Sequence, residues 1–278
     1  MALTADCDLF LGLHENGINR VFDHVRRQRP ALFNYATAEV AGNRELWCAD
    51  VVFTPDVLKH NNPLFTVMNP LPVFGADAPP VGIGFCAQVT KTRVDFHPGN
   101  AIALPAEMHP PLAEQHFSVV LRICAAIACP DPRIIDRIPS PERAFAGNLT
   151  YDAPRDKPPN PIVLPGRTNC FCLDVFAIGH VQRQFISGRE SLLVKVDEVD
   201  IVDLAPPGLK QNLICYLKTS LNVVLREKMA IALQTLMFSF PLFGFGTVNL
   251  FPTPNPPLPN NPAISDDELK VFITMKVI

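Results

Sequence analysis

Proline punctuates this chain too often for long helices to dominate it. There are 29 prolines among 278 residues, about twice the usual share. Helix interiors exclude proline, and sheets tolerate it mainly at edges and strand ends. Many bounded elements and many loops are therefore expected. The segments between the prolines alternate. "HFSVVLRICAAIACP" sets Phe117, Val119, Leu121, Ile123, Ala125 and Ile127 on one face of a long strand. "VGIGFCAQVTKTRVDFHPGN" alternates from Ile83 through Phe85, Ala87 and Val89, then shifts phase to Val94 and Phe96.

Two further runs behave alike. "FCLDVFAIGHVQRQFI" alternates Phe171, Leu173, Val175 and Ala177 and resumes at Val181 and Phe185. "SLLVKVDEVDIVDL" alternates Leu192, Val194 and Val196 and then slips to Val199 and Ile201. The Ser-Gly pair between them marks a hairpin turn. Such phase slips predict bulges or bends. "ELKVFITMKVI" returns to strict alternation with Leu269, Val271, Ile273, Met275 and Val277 on one face.

Two segments carry a helical period. In "HENGINRVFDHVRRQRP", Ile18, Val21, Phe22 and Val25 share a face, Asn16 is placed to cap the start, and three arginines precede Pro30. In "PPGLKQNLICYLKTSLNVVLREK", Leu209, Leu213, Tyr216, Leu217, Leu221, Val224 and Leu225 form a stripe that Ile214 and Val223 widen past half the circumference. A stripe that wide predicts a helix partly surrounded by sheet. The helix should end at Glu227 and Lys228.

From Met229 to Phe251 no residue is charged. Its helix-compatible part ends before Pro241, short of the ~20 residues a membrane span requires. One or two strands closing the sheet are expected instead, with Phe240, Phe243 and Phe245 on a turn at a rim. Asp131–Thr168 and the tract from Pro252 to Ser265 are proline-rich excursions.

Net charge is −3 and only 18% of residues are charged, which points to no nucleic acid as a partner. No signal-like segment and no transmembrane span is found, so a cytoplasmic location is expected. Eight cysteines in a large apolar chain then read mostly as free buried thiols. Cys170 and Cys172 share a strand face and are placed to meet Cys124 across strands. Their spacing matches no zinc knuckle, so neither metal nor cofactor is expected. His180, among apolar residues, reads as a satisfied core or surface histidine. The most site-like cluster, "RVDFHPGN", offers His97 as a base with Asp95 to orient it. No nucleophile accompanies it, and no phosphate loop or nucleophile elbow occurs.

The order of "ENGINRVFDHV", long strands, "GLKQNLICYLKTSLNVVL" and closing strands resembles the tubular lipid-binding (TULIP) superfamily, which includes relatives of the bactericidal/permeability-increasing protein. The resemblance implies a curved sheet around a long helix with lipid in the seam, and it supplies no catalytic residues.

The fold expected is therefore α+β. A long, strongly bent antiparallel sheet wraps a long C-terminal amphipathic helix, with an N-terminal helix, as a single domain over residues 1–278. The function expected is binding or transport of a lipid or another elongated apolar ligand in a cleft between sheet and helix. Leu213, Leu217, Leu221, Val224, Phe240, Phe243 and Phe245 would touch the ligand, with transient membrane-surface contact. A non-enzymatic interaction protein assembling through the proline-rich arms is the second reading. A hydrolase using Asp95 and His97 is the third.

Overall fold

The computed structural model describes residues 7–72, 81–108, 112–130, 162–164, 166–186, 189–202, 204, 207–228, 231–232, 237–242, 246–253 and 260–277. In chain order, β1 (Leu9–His14) leads into α1 (Glu15–Gln28). β2 (Asn34–Thr37), α2 (Ala38–Gly42), α3 (Pro55–Lys59), β3 (Thr66–Met68) and β4 (Leu71–Pro72) follow. Then come β5 (Val81–Ile83), β6 (Phe85–Phe96), β7 (His116–Pro130), β8 (Ile162–Leu164) and β9 (Gly166–Thr168). β10 (Phe171–Ile186) and β11 (Arg189–Ile201) precede α4 (Pro207–Lys228). The chain closes with β12 (Ile231–Ala232), β13 (Phe238–Leu242), β14 (Gly246–Pro252), β15 (Ala263–Ser265) and β16 (Glu268–Val277). It divides into two compact units, residues 1–22 with 92–121 and 173–278, and residues 23–91 with 122–172.

In the first unit β12-β11-β10-β7-β6 lie side by side, and a second sheet runs β1-β16-β14-β13 with β15 against β16. β10 and β11 form the expected hairpin, Ile186 facing Arg189 across the Ser-Gly pair. The slip read in β11 is a bulge: Ile178 faces Glu198 and Gly179 faces Val196, so Asp197 has no partner across the ladder. One extra residue keeps Val194 and Val196 on the face that Val199 and Ile201 also use. The uncharged stretch supplies β12, β13 and β14. Among the described residues no helix is long and apolar enough to cross a membrane.

Asparagine amides fasten this unit. Asn19 of α1 exchanges two 2.8 Å hydrogen bonds with the backbone of Val94. Asn222 of α4 accepts from the Val196 N–H at 2.9 Å and donates to its carbonyl at 3.0 Å. Asn261 does the same for Phe272 at 3.1 and 2.7 Å. Each amide bonds both the N–H and the carbonyl of one strand residue, as a neighbouring strand would. Ile18 and Phe22 of α1 pack on Val94, Phe96 and Ile264, while Val21 of the predicted face is exposed. The His14 ring, rather than Asn16, accepts at the start of α1, from the Asn16 N–H.

The expected wrapped helix is overturned. The described residues are mostly β, and α4 is a short 22-residue element resting on β11. No described side chain between Gly208 and Leu225 is buried, and Leu209, Tyr216, Val223 and Val224 lie open, Tyr216 at 68%. The stripe looked wide because its outward positions are apolar too. Periodicity counts apolar residues without saying what covers them.

In the second unit β2 pairs with β3 and β6, β9 pairs with β7, and β5 lies between β4 and β8. Its core holds Ala36, Val40, Phe65, Cys86 and Ala128, with Trp47 stacked 4.9 Å from Phe65. The predicted inward face of β6 is corrected. Cys86, Gln88, Val94, Asp95 and Phe96 are the buried positions, so the expected Phe85, Ala87 and Val89 face is not the buried one. Crowding explains the choice of small residues just upstream: a Cβ on Gly84 would stand 3.0 Å from the Thr37 hydroxyl and 3.3 Å from Val40.

The expectation of mostly free thiols is also overturned. Cys48 is bonded to Cys170, and Cys124 to Cys172. Both bonds run against a reducing compartment.

Candidate functional site

Register builds the first candidate surface. Opposed residues in an antiparallel ladder project from the same face. Leu9, Leu11 and Leu13 of β1 face Ile273, Val271 and Leu269 of β16. Val248, Leu250 and Pro252 of β14 face Val277, Met275 and Ile273. Phe238, Phe240 and Leu242 of β13 stand opposite Leu250, Val248 and Gly246. One face of this sheet thus carries an apolar residue at every paired position across β1, β16 and β14. Val248 at its centre is buried, but Leu9, Leu11, Leu13, Met275 and Val277 are exposed, Leu11 at 59%.

The opposite face is mixed in polarity, yet it is the packed one at its middle. Phe272 is buried there with its ring 5.7 Å from Phe10, and the Thr274 and Thr253 hydroxyls are 2.8 Å apart. A sheet with one solvated face ordinarily turns its polar side to water. Here the exposed large residues lie on the apolar side, although its Leu269 end packs into the core with buried Ile264.

The predicted ligand residues fall on separate elements. Leu213, Leu217 and Leu221 are half-buried along α4, and Val224 is exposed. α4 lies on β11, which belongs to a different sheet from β13, β14 and β16. Phe240 holds a register position on the apolar sheet face. Phe243 and Phe245, and most of both proline-rich excursions, lie outside the described residues.

Asp95 and His97 do not form a pair. Asp95 is fully buried, and its Oδ2 accepts from the N–H groups of Ala101 at 2.9 Å and Ile102 at 2.6 Å. The His97 Nδ1 lies 2.8 Å from the Leu112 carbonyl. Both side chains hold their own turn, so the arrangement offers no oriented base. Carboxylate oxygens of Glu15, Asp95 and Asp267 lie within 4.8 Å of one another. Burial pushes the Glu15 carboxyl above its ordinary 4.5; the Phe96 N–H, bonded to it at 2.7 Å, pulls it down, and the Asp95 carboxyl adds to the rise.

A second cluster sits in the wall of a cavity of about 470 Å3 lined by Gln115, Arg183 and Asn261 among others. His180 Nδ1 is 2.5 Å from Asp197 Oδ2, and His116 Nε2 is 3.7 Å from the same oxygen. The sequence hid this cluster, because the three residues come from β7, β10 and β11 at no motif spacing. The slip at Asp197 was its only signal.

No family model matches the chain, and no curated protein matches it. Among solved structures it is similar to a lipopolysaccharide binding protein, at 9% identity and a TM-score of 0.31. The match covers 100% of this chain, which spans 45% of that protein's length.

Proposed function

We propose that the chain binds an elongated apolar ligand, a lipid acyl chain or a molecule of like shape, along the open apolar face of the β1-β16-β14-β13 sheet. One observation carries the reading: the register sets apolar residues across three strands, and five of them are exposed. Contiguous apolar surface of this kind marks a binding surface rather than idle exterior. Each CH2 a ligand buries there contributes about 0.8 kcal/mol, so a long chain binds without specific polar contacts. This moves the ligand away from the cleft between sheet and helix. Leu213, Leu217, Leu221 and Val224 become a secondary surface, and Phe240 stays with the primary one. Carriage of the ligand between membranes extends the same proposal. The two disulfides support a location in an oxidising compartment.

The test compares native mass spectra of the protein before and after solvent extraction, then titrates the extracted protein with a fluorescent fatty acid. Saturable binding that Leu11→Asn and Met275→Asn each weaken at least fivefold, with folding intact, supports the reading. Binding unchanged in both variants, or no binding at all, overturns it. A concentration-dependent dimer that both variants dissolve would assign the face to a second copy of the chain instead.

A further inference from the structure

The strands β7, β10 and β11 bring two imidazoles and a carboxylate to one point on the wall of the cavity. We infer that His116, His180 and Asp197 bind a divalent first-row transition metal such as Zn2+, with a coordination position open to the cavity.

The donor atoms are one nitrogen from each histidine and one Asp197 oxygen, all within 4.8 Å of one another. Zinc–nitrogen and zinc–oxygen bonds of about 2.0–2.2 Å place two ligand atoms of a tetrahedron about 3.3 Å apart. Each separation therefore changes by less than about 1.5 Å on binding. Two imidazoles with one carboxylate suit zinc and its neighbours, not calcium or magnesium.

The outer nitrogens are already engaged. His116 Nδ1 is 2.8 Å from the Glu114 carbonyl, so it carries the proton and leaves the Nε2 lone pair toward Asp197. His180 Nε2 lies 3.4 Å from Gln182 Oε1, and donation there leaves Nδ1 toward the same oxygen. Metal-ligating histidines are oriented in this way, with the second ring nitrogen held by an acceptor.

The backbone is shaped for the same purpose. Asp197 is the extra residue of the β11 bulge, and a bulge re-aims a side chain that regular pairing would direct elsewhere. Gly179 stands opposite, where an added Cβ would come within 2.4 Å of the Lys195 carbonyl oxygen and 3.0 Å of the Phe117 ring. No larger residue fits there without moving the strand. The Lys195 ammonium, 3.9 Å from Asp197 Oδ1, binds the oxygen that the histidines leave free.

The test uses the full chain carrying Cys215→Ser, since the exposed Cys215 thiol is itself a metal ligand. Co2+ is titrated and its absorption recorded, and Zn2+ is measured by equilibrium dialysis. The expected result is one metal per chain, with intense cobalt d–d bands and no thiolate charge-transfer band. His180→Ala and Asp197→Asn should each weaken binding at least tenfold. Gln182→Leu removes no ligand and should weaken it about tenfold through loss of orientation alone. Absence of the d–d bands, a thiolate band, or wild-type affinity in His180→Ala overturns the proposal. Because the cobalt spectrum is read on a chain with all three ligands intact, a ligand variant that fails to fold leaves the test decisive.

Discussion

At the centre of one unit stands a buried amide; across the sheet at the edge of the other lies open hydrocarbon. Gln88 is 1% exposed, and its side chain accepts from the Cys48 and Ala49 N–H groups at 2.8 and 2.9 Å. It donates to the Asn34 side chain at 3.2 Å and the Ala49 carbonyl at 2.9 Å. Every donor and acceptor it owns is used. Two disulfides lie in the same unit. The β1-β16-β14-β13 sheet has a buried amide of its own, Asn261 on Phe272, but it carries neither disulfide and exposes leucines that a core would bury. The comparison teaches that burial follows from what a surface is for. A polar residue sits deep where it joins segments, and apolar ones lie open on the face where we propose a ligand binds.

Gln88→Leu should break the first half of this comparison hardest. It leaves two N–H groups, a carbonyl and the Asn34 amide oxygen without these partners, at about 3–6 kcal/mol by the usual cost of buried unsatisfied groups. Denaturant midpoints measure it, and a loss under about 1 kcal/mol would show that the amide holds nothing together. Next in size, replacing both Cys124 and Cys172 by serine should cost about 2–5 kcal/mol. Thiol titration of the unreduced, denatured chain should miss the four cysteines of the two bonds, and eight reactive thiols would contradict them.

Glu15→Gln sharpens the comparison within the first unit. An acid whose folded pKa is raised holds more protons folded than unfolded, so its stability contribution is full below the ordinary 4.5 and is lost as pH rises through the folded value. The amide can still accept from Phe96 and donate to Asp95. The variant should match the wild type near about pH 4 and exceed it near about pH 7 in melting temperature. The reverse order would overturn the raised Glu15 carboxyl. The smallest stability effect belongs to Leu11→Asn, within about 0.5 kcal/mol, although its effect on ligand binding is the largest expected on that face.

Strand patterns were legible because alternation is local. The β11 slip, the β10–β11 hairpin and the apolar run of β16 stand in the sequence as the structure has them, whereas the uncharged stretch, expected to give one or two strands, gives three in two sheets, with Phe240 inside β13. Facing was less legible. β6 and β7 carry apolar residues on both sides, and the more buried side holds the smaller ones, Cys86, Ala126 and Ala128. Gln88 reads as a surface residue until its partners at Asn34 and Ala49 are known. Disulfide partners 122 residues apart, and two histidines and an aspartate from three strands, are facts of tertiary structure that no spacing encodes. The helix misled because its exposed side carries Leu209, Tyr216, Val223 and Val224 among its polar residues.

The disulfide spacing also imposes an order in time. The bonds interleave, Cys48 to Cys170 and Cys124 to Cys172, so neither can close until the segment holding Cys170 and Cys172 has been made. With 122 residues between Cys48 and its partner, the wait is roughly 6–24 s at about 5–20 residues per second of synthesis. Cys86 and Cys124 leave the ribosome first, and any bond Cys48 makes to them must later be exchanged for the native one. A cell producing this protein therefore needs a catalyst of disulfide reshuffling as much as it needs an oxidant, and yield in a foreign host will follow the supply of that catalyst.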